Sequence, residues 1–129
     1  MPGAPRLVLI ADDDGDIGRL LARIMRLLGI TTIVVVNGTD AIVAAQRHAT
    51  ELAAAFLDIQ MPDITGVDVA IAIQPLMPQL PIVLMSAGIP AHLAASITQL
   101  RLAGFLQKPF QIDSVRTLVA QLGLTGPTP

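Results

Sequence analysis

The stretch Ala55-Phe56-Leu57-Asp58-Ile59-Gln60-Met61-Pro62 constrains this chain more than any other. An apolar run stops on a single carboxylate. Pro62 has no N–H to give to a sheet, so the strand cannot continue through it. Runs this uniformly apolar are buried on both faces, which implies a parallel sheet between layers of helices. In open sheets of that kind, ligands sit at the carboxyl ends of the strands. Asp58 therefore stands where such an architecture does its chemistry.

The rest of the chain repeats the alternation. Arg6 to Ala11 reads as a buried strand ending at Asp12. Asp16 to Leu28 is apolar at Ile17, Leu20, Leu21, Ile24, Leu27 and Leu28, the spacing of an amphipathic helix. Asp14 or Asp16 can cap it, and Gly29 follows its end. Thr31 to Val36 is rich in β-branched residues and reads as a second strand. A turn at Asn37-Gly38 leads into a helix over Thr39 to His48, and the third strand is Leu52 to Asp58. A third helix spans Gly66 to Gln74, a proline-rich connection follows, and Pro81 to Met85 is the fourth strand, with Ser86-Ala87-Gly88 at its end. Pro90 to Leu102 reads as a fourth helix, Gly104 to Gln107 as a fifth strand, and Gln111 to Leu122 as the last helix. Five such alternations predict an α/β fold, a doubly wound five-stranded parallel sheet with helices on both faces. The expected boundaries are one domain over 1–123 and a flexible tail over 124–129.

Composition narrows the chemistry. The chain has no cysteine, which excludes disulfides, thiolate metal sites and thiol nucleophiles. Prolines 75, 78 and 81 interrupt the longest apolar region, so no run reaches the ~18 residues of a membrane span. The N-terminus does not read as a secretory signal, and a cytoplasmic protein is expected. A net charge of -2 argues neither for nucleic acid nor for an acidic tail, and no direct nucleic-acid partner is expected. Charged residues make up only 14% of the chain, against ~25% in average domains. Yet five of the ten acids are Asp12, Asp13, Asp14, Asp16 and Asp58, and Lys108 is the only lysine.

The topology brings these residues to one edge of the sheet. Asp12 and Asp13 follow the first strand, Asp58 ends the third, Ser86 the fourth and Lys108 the fifth. Helix capping needs one acid and not four. Carboxylates held together repel one another and call for a cation; Mg2+ suits a few carboxylates with waters and a phosphoryl oxygen. A carboxylate nucleophile with a metal and a lysine beside it is equipment for phosphoryl transfer.

In this order and spacing, four pieces resemble the receiver domain of two-component response regulators over about Leu7 to Leu122. They are Asp12-Asp13 after an apolar strand, Leu57-Asp58-Ile59-Gln60-Met61-Pro62 with Gly66, Val83-Leu84-Met85-Ser86-Ala87, and Gly104-Phe105-Leu106-Gln107-Lys108-Pro109-Phe110. The resemblance implies a flavodoxin-like strand order 2-1-3-4-5. It implies that Asp58 accepts a phosphoryl group from the phosphohistidine of a histidine kinase or phosphotransfer protein. Mg2+ is then the cofactor, held by Asp12, Asp13, Asp58 and the Gln60 main-chain carbonyl. Ser86 and Lys108 contact the phosphoryl group, and Phe105 is the aromatic switch that follows Ser86. The implied output surface, built from the fourth helix, fifth strand and fifth helix, meets a downstream protein target.

Two other readings stand beside this one. A haloacid-dehalogenase-type phosphohydrolase carries Asp-x-Asp after its first strand, which Asp12 and Asp14 mimic, but it needs a cap or larger core. An interaction module with a receiver fold would work without phosphorylation. The third and fourth helices are unusually apolar, which suggests a covered surface, a homodimer or partner interface. The plainer account is a low-charge, alanine-rich composition.

Overall fold

The computed structural model describes residues 6–124. Five strands, β1 (Leu7–Ala11), β2 (Thr31–Val35), β3 (Leu52–Asp58), β4 (Ile82–Ser86) and β5 (Gly104–Gln107), form one parallel sheet in the order β2-β1-β3-β4-β5. The helices are α1 (Gly15–Leu27), α2 (Gly38–Arg47), α3 (Gly66–Ile73), a 3-10 turn at Ala91–Leu93 running into a short α4 (Ala94–Thr98), and α5 (Ile112–Gln121). The expected fold and strand order are those observed.

Side-chain alternation along the strands divides the interior in two. Val8, Ile10, Phe56, Val83 and Met85 point to one face, against Leu21, Ile24 and Met25 of α1 and Val115, Leu118 and Val119 of α5. Leu9, Ala55, Leu57, Ile82 and Leu84 point to the other, against Ala41 and Ala45 of α2 and Val67, Val69, Ala70 and Ile73 of α3. Each face is sealed, so the polar strand ends stand together on a rigid platform. Leu124, the first residue of the expected tail, is only 5% exposed and belongs to the first of these clusters. Packing thus runs past residue 123, and positions 125–129 lie outside the described residues.

Two expectations about helices need correction. The apolar third helix is not an exposed surface: five of its eight residues are buried, and Ile71 is its one large exposed apolar side chain. Its composition reflects burial between sheet and neighbours. The fourth helix is far shorter than Pro90 to Leu102. Neither the 3-10 turn nor α4 has a side-chain cap, so its first N–H groups lack the usual local acceptor. Beyond it, both backbone groups of Arg101 are taken by the buried Gln74 side chain: Gln74 Nε2 donates to the Arg101 carbonyl at 2.8 Å, and Arg101 N–H donates to Gln74 Oε1 at 3.2 Å. A residue paired in this way cannot continue the helical i→i−4 ladder.

Candidate phosphoryl-transfer site

Asp12 extends the sheet by one bond past β1, its N–H donating to the Val35 carbonyl at 3.1 Å. This carries its carboxylate inward, and the residue is fully buried. Its Oδ1 accepts the Asp14 N–H at 2.9 Å. Asp14 in turn caps α1, its Oδ1 accepting from the N–H groups of Asp16 and Ile17. Asp16 pairs with Arg19 on the surface. The run of four acids therefore divides: Asp14 and Asp16 serve the helix, while Asp12 and Asp13 face the strand ends.

Asp58, the last residue of β3, is 4% exposed. Its Oδ1 accepts the Gln60 N–H at 3.2 Å, and its Oδ2 accepts from Lys108 Nζ at 2.9 Å. Lys108 follows β5, and its own N–H is fixed on the Ser86 carbonyl at 2.9 Å. From there Nζ also reaches Asp12 Oδ2 at 2.7 Å, so one ammonium bridges two buried carboxylates. Asp12 Oδ2 is fully buried, and the Lys108 ammonium is its ion-pair partner.

The electrostatics follow from this crowding. Burial pushes the Asp58 carboxyl up to about 6, and the neighbouring Asp12 adds to the rise against the pull of Lys108 and Gln60. Burial alone would lower the Lys108 ammonium, but its bonds to Asp12 and Asp58 outweigh that and raise it. One lysine does not neutralise the cluster. Carboxylate oxygens of Asp12, Asp13 and Asp58 lie within 4.8 Å of one another, close enough to share one ion. Among the described residues Lys108 is the one cation beside these oxygens, and the cluster fits a hard divalent cation with oxygen ligands.

The profile of the response regulator receiver domain matches residues 8–120. This chain belongs to that family. The receiver is 28% identical to the transcriptional regulatory protein TcrX of Mycobacterium tuberculosis over 95% of this chain and 53% of that protein. It is 30% identical to the DNA-binding transcriptional regulator NtrC of Salmonella typhimurium over 88% of this chain but 24% of NtrC. The chain thus spans about half and about a quarter of these relatives. Among solved structures, the chemotaxis protein CheY4 of Vibrio cholerae superposes with a TM-score of 0.83 at 20% identity, covering 92% of this chain and 99% of that one. Receiver domains are signalling modules of two-component systems, not enzymes in the usual sense; they bind Mg2+ at an acidic pocket and interact with kinases or phosphotransfer proteins and downstream targets. No helix among the described residues is long and apolar enough to cross a membrane.

The remaining expected site residues are placed as follows. Gln60 is exposed just beyond Asp58. Ser86 is buried, but its hydroxyl is turned to its own loop: it donates to the Gly88 carbonyl and accepts the Gly88 N–H at 3.0 Å. Phe105 is 38% exposed on β5. The Asp-x-Asp of the phosphohydrolase reading does not form a site, because Asp14 is the helix cap and Asp13 is the third member of the cluster.

One residue escaped the sequence reading. Asp63 accepts the N–H of Gly38 at 2.8 Å, and from Thr39 both the N–H at 2.8 Å and the hydroxyl at 2.6 Å. The Thr39 hydroxyl and these two N–H groups hold its carboxyl well below the usual carboxylate range. Its position after Pro62 marks a turn, but nothing local points to partners in another helix.

Proposed function

We propose that Asp58 accepts a phosphoryl group from the phosphohistidine of a histidine kinase or phosphotransfer protein in the cytoplasm. The observation that carries this reading is the buried pair Asp12 and Asp58, bridged by Lys108 and joined by Asp13. A purely structural ion pair needs one acid; two on one ammonium with a third carboxylate beside them leave negative charge that a cation must balance. Asp12, Asp13, Asp58 and the Gln60 main-chain carbonyl would hold Mg2+, which when bound neutralises charge on the phosphoryl oxygens.

The chain's own groups do the rest. The Asp58 carboxylate attacks phosphorus, and the phosphorus–nitrogen bond to the donor histidine breaks. The Gln60 N–H holds the carboxylate at Oδ1 and Lys108 holds it at Oδ2, so its orientation is set before the donor arrives. Lys108 Nζ, already between two carboxylates, can follow the charge onto a phosphoryl oxygen without leaving Asp12. For Ser86 to reach that group, its hydroxyl must leave Gly88. Release of that turn is the local event that lets β4, β5 with Phe105, α4 and α5 respond to the new charge, altering the surface that meets a downstream target. Asp58 phosphate is then lost by hydrolysis.

The test is intact mass after incubation with Mg2+ and acetyl phosphate, beside Asp58→Asn. One phosphoryl adduct that requires Mg2+ and is absent from the variant is the expected result. A folded protein with no adduct from either acetyl phosphate or a phosphorylated kinase would sink this reading.

A further inference from the structure

We propose that Asp63 is a positioning residue for the phosphoryl site, holding the loop that carries Gln60 against the first turn of α2. The proposal rests on the reading of Asp58 as phosphoacceptor and of the Gln60 carbonyl as a metal ligand. The loop between β3 and α3 has a narrow neck. The Gly66 N–H donates to the Ile59 carbonyl at 3.0 Å, and a Cβ at Gly66 would stand 2.3 Å from the Asp58 carbonyl oxygen. Such a neck sets where the loop starts and ends, but not how its crest lies.

The crest is tied down by Asp63. Its two carboxylate oxygens take three donors from Gly38 and Thr39, residues 25 and 24 positions away in sequence. A second observation shows the same seating. A Cβ on Gly38 would lie 2.3 Å from Ile64 Cγ1 and 3.0 Å from the Ile64 carbonyl oxygen, so the loop backbone rests directly on the helix start. Local capping covers only one donor, because Asn37 Oδ1 accepts the Asp40 N–H at 2.7 Å; Asp63 completes the cap on Gly38 and Thr39 from a segment outside the helix. The acid of the β3–α3 loop does something that Asn37 cannot, which is to join that loop to the start of α2.

Gln60 lies between the neck and the crest, and its N–H is the group that holds Asp58 Oδ1. Any sway of the crest therefore shifts both the aim of the nucleophile and the carbonyl offered to the metal. Partners that orient ligands from behind matter to metal affinity by about tenfold or more when removed.

The test is Mg2+ titration by isothermal calorimetry on wild type, Asp63→Ala, Asp63→Asn, Thr39→Val and Asp13→Asn, with circular dichroism and melting for each. Asp13→Asn is expected to abolish binding. Asp63→Ala is expected to bind Mg2+ about tenfold more weakly with its fold intact. Asp63→Asn keeps one acceptor oxygen, enough for the Gly38 side or the Thr39 side but not both, and recovers only part of that loss, and Thr39→Val shows a smaller weakening. Unchanged Mg2+ affinity in Asp63→Ala, whatever happens to its melting temperature, overturns the proposal and leaves the phosphoacceptor reading standing. If that variant does not fold, undiminished affinity in both Asp63→Asn and Thr39→Val overturns it equally. A wild-type protein that binds no Mg2+ removes the reading and the proposal together.

Discussion

Asp58, at the start of one short loop, and Asp63, on its crest, are the same chemical group, and the structure treats them oppositely. Asp58 is buried beside a second carboxylate, and its carboxyl is pushed up to about 6. Asp63 is exposed, accepts three hydrogen bonds, and is held well below the usual range. The difference is one of unbalanced charge rather than of hydrogen-bond supply. A carboxylate surrounded by neutral donors is content as an anion and has no cause to react. One that is desolvated against a like charge gains from any cation, or from handing its negative charge to a phosphoryl group stabilised by its neighbours. In the proposed function the crowded acid is the reactive one, and the well-bonded acid is the fastening.

The largest contrast between the two should appear in chemistry. Asp58→Asn is expected to lose the phosphoryl adduct completely, while Asp63→Asn still forms it at saturating Mg2+; intact mass reads both. An adduct surviving in Asp58→Asn would place the reactive acid elsewhere. Next in size is the counter-charge. Lys108→Met leaves Asp12 and Asp58 buried without an ammonium and should cost about 3–5 kcal/mol in urea unfolding at neutral pH without Mg2+. The loss should shrink in mild acid, where Asp58 takes up a proton.

A smaller effect lies in the pH dependence of stability. Because the folded Asp58 carboxyl is raised from 3.8 to about 6, the unfolded chain gives up its proton first. Metal-free stability is then full below the lower value and falls as pH rises through the upper one. The fall should be about 1–2 kcal/mol after solvent screening at the mouth of the site, and should vanish in Asp58→Asn. Asp63 predicts the smallest effect and the opposite sign. Its carboxyl is lowered, so its contribution is present above the ordinary carboxylate value and is lost as pH falls below it. Melting curves of Asp63→Asn should be flatter in that acid range than those of wild type. A steeper curve would mean that Asp63 is not the acid taking up the proton.

Much of this was legible in the sequence because it is locally encoded. The apolar run into Asp58 and the proline behind it define a buried strand and its end within eight residues. Repeated five times, that logic brings Asp12, Asp13, Asp58 and Lys108 to one edge before any coordinate is known. The charge-poor third helix was legible as apolar but not as buried, since periodicity cannot distinguish a covered helix from one awaiting a partner. The fourth helix reads as long because alanines favour helix, whereas its end is decided by Gln74, a residue of the α3 terminus.

The sequence by itself determined the order of strands and helices, the sealed sheet and the convergence of charge, because side-chain period and burial act within a few residues. Only the tertiary structure decided which aspartate caps and which joins the cluster, that the Ser86 hydroxyl is held by Gly88, and that Asp63 fastens the site's loop to α2. Those choices depend on distances of an ångström or less between segments far apart in the chain. Such distances are set by how the layers pack, and no local pattern carries them.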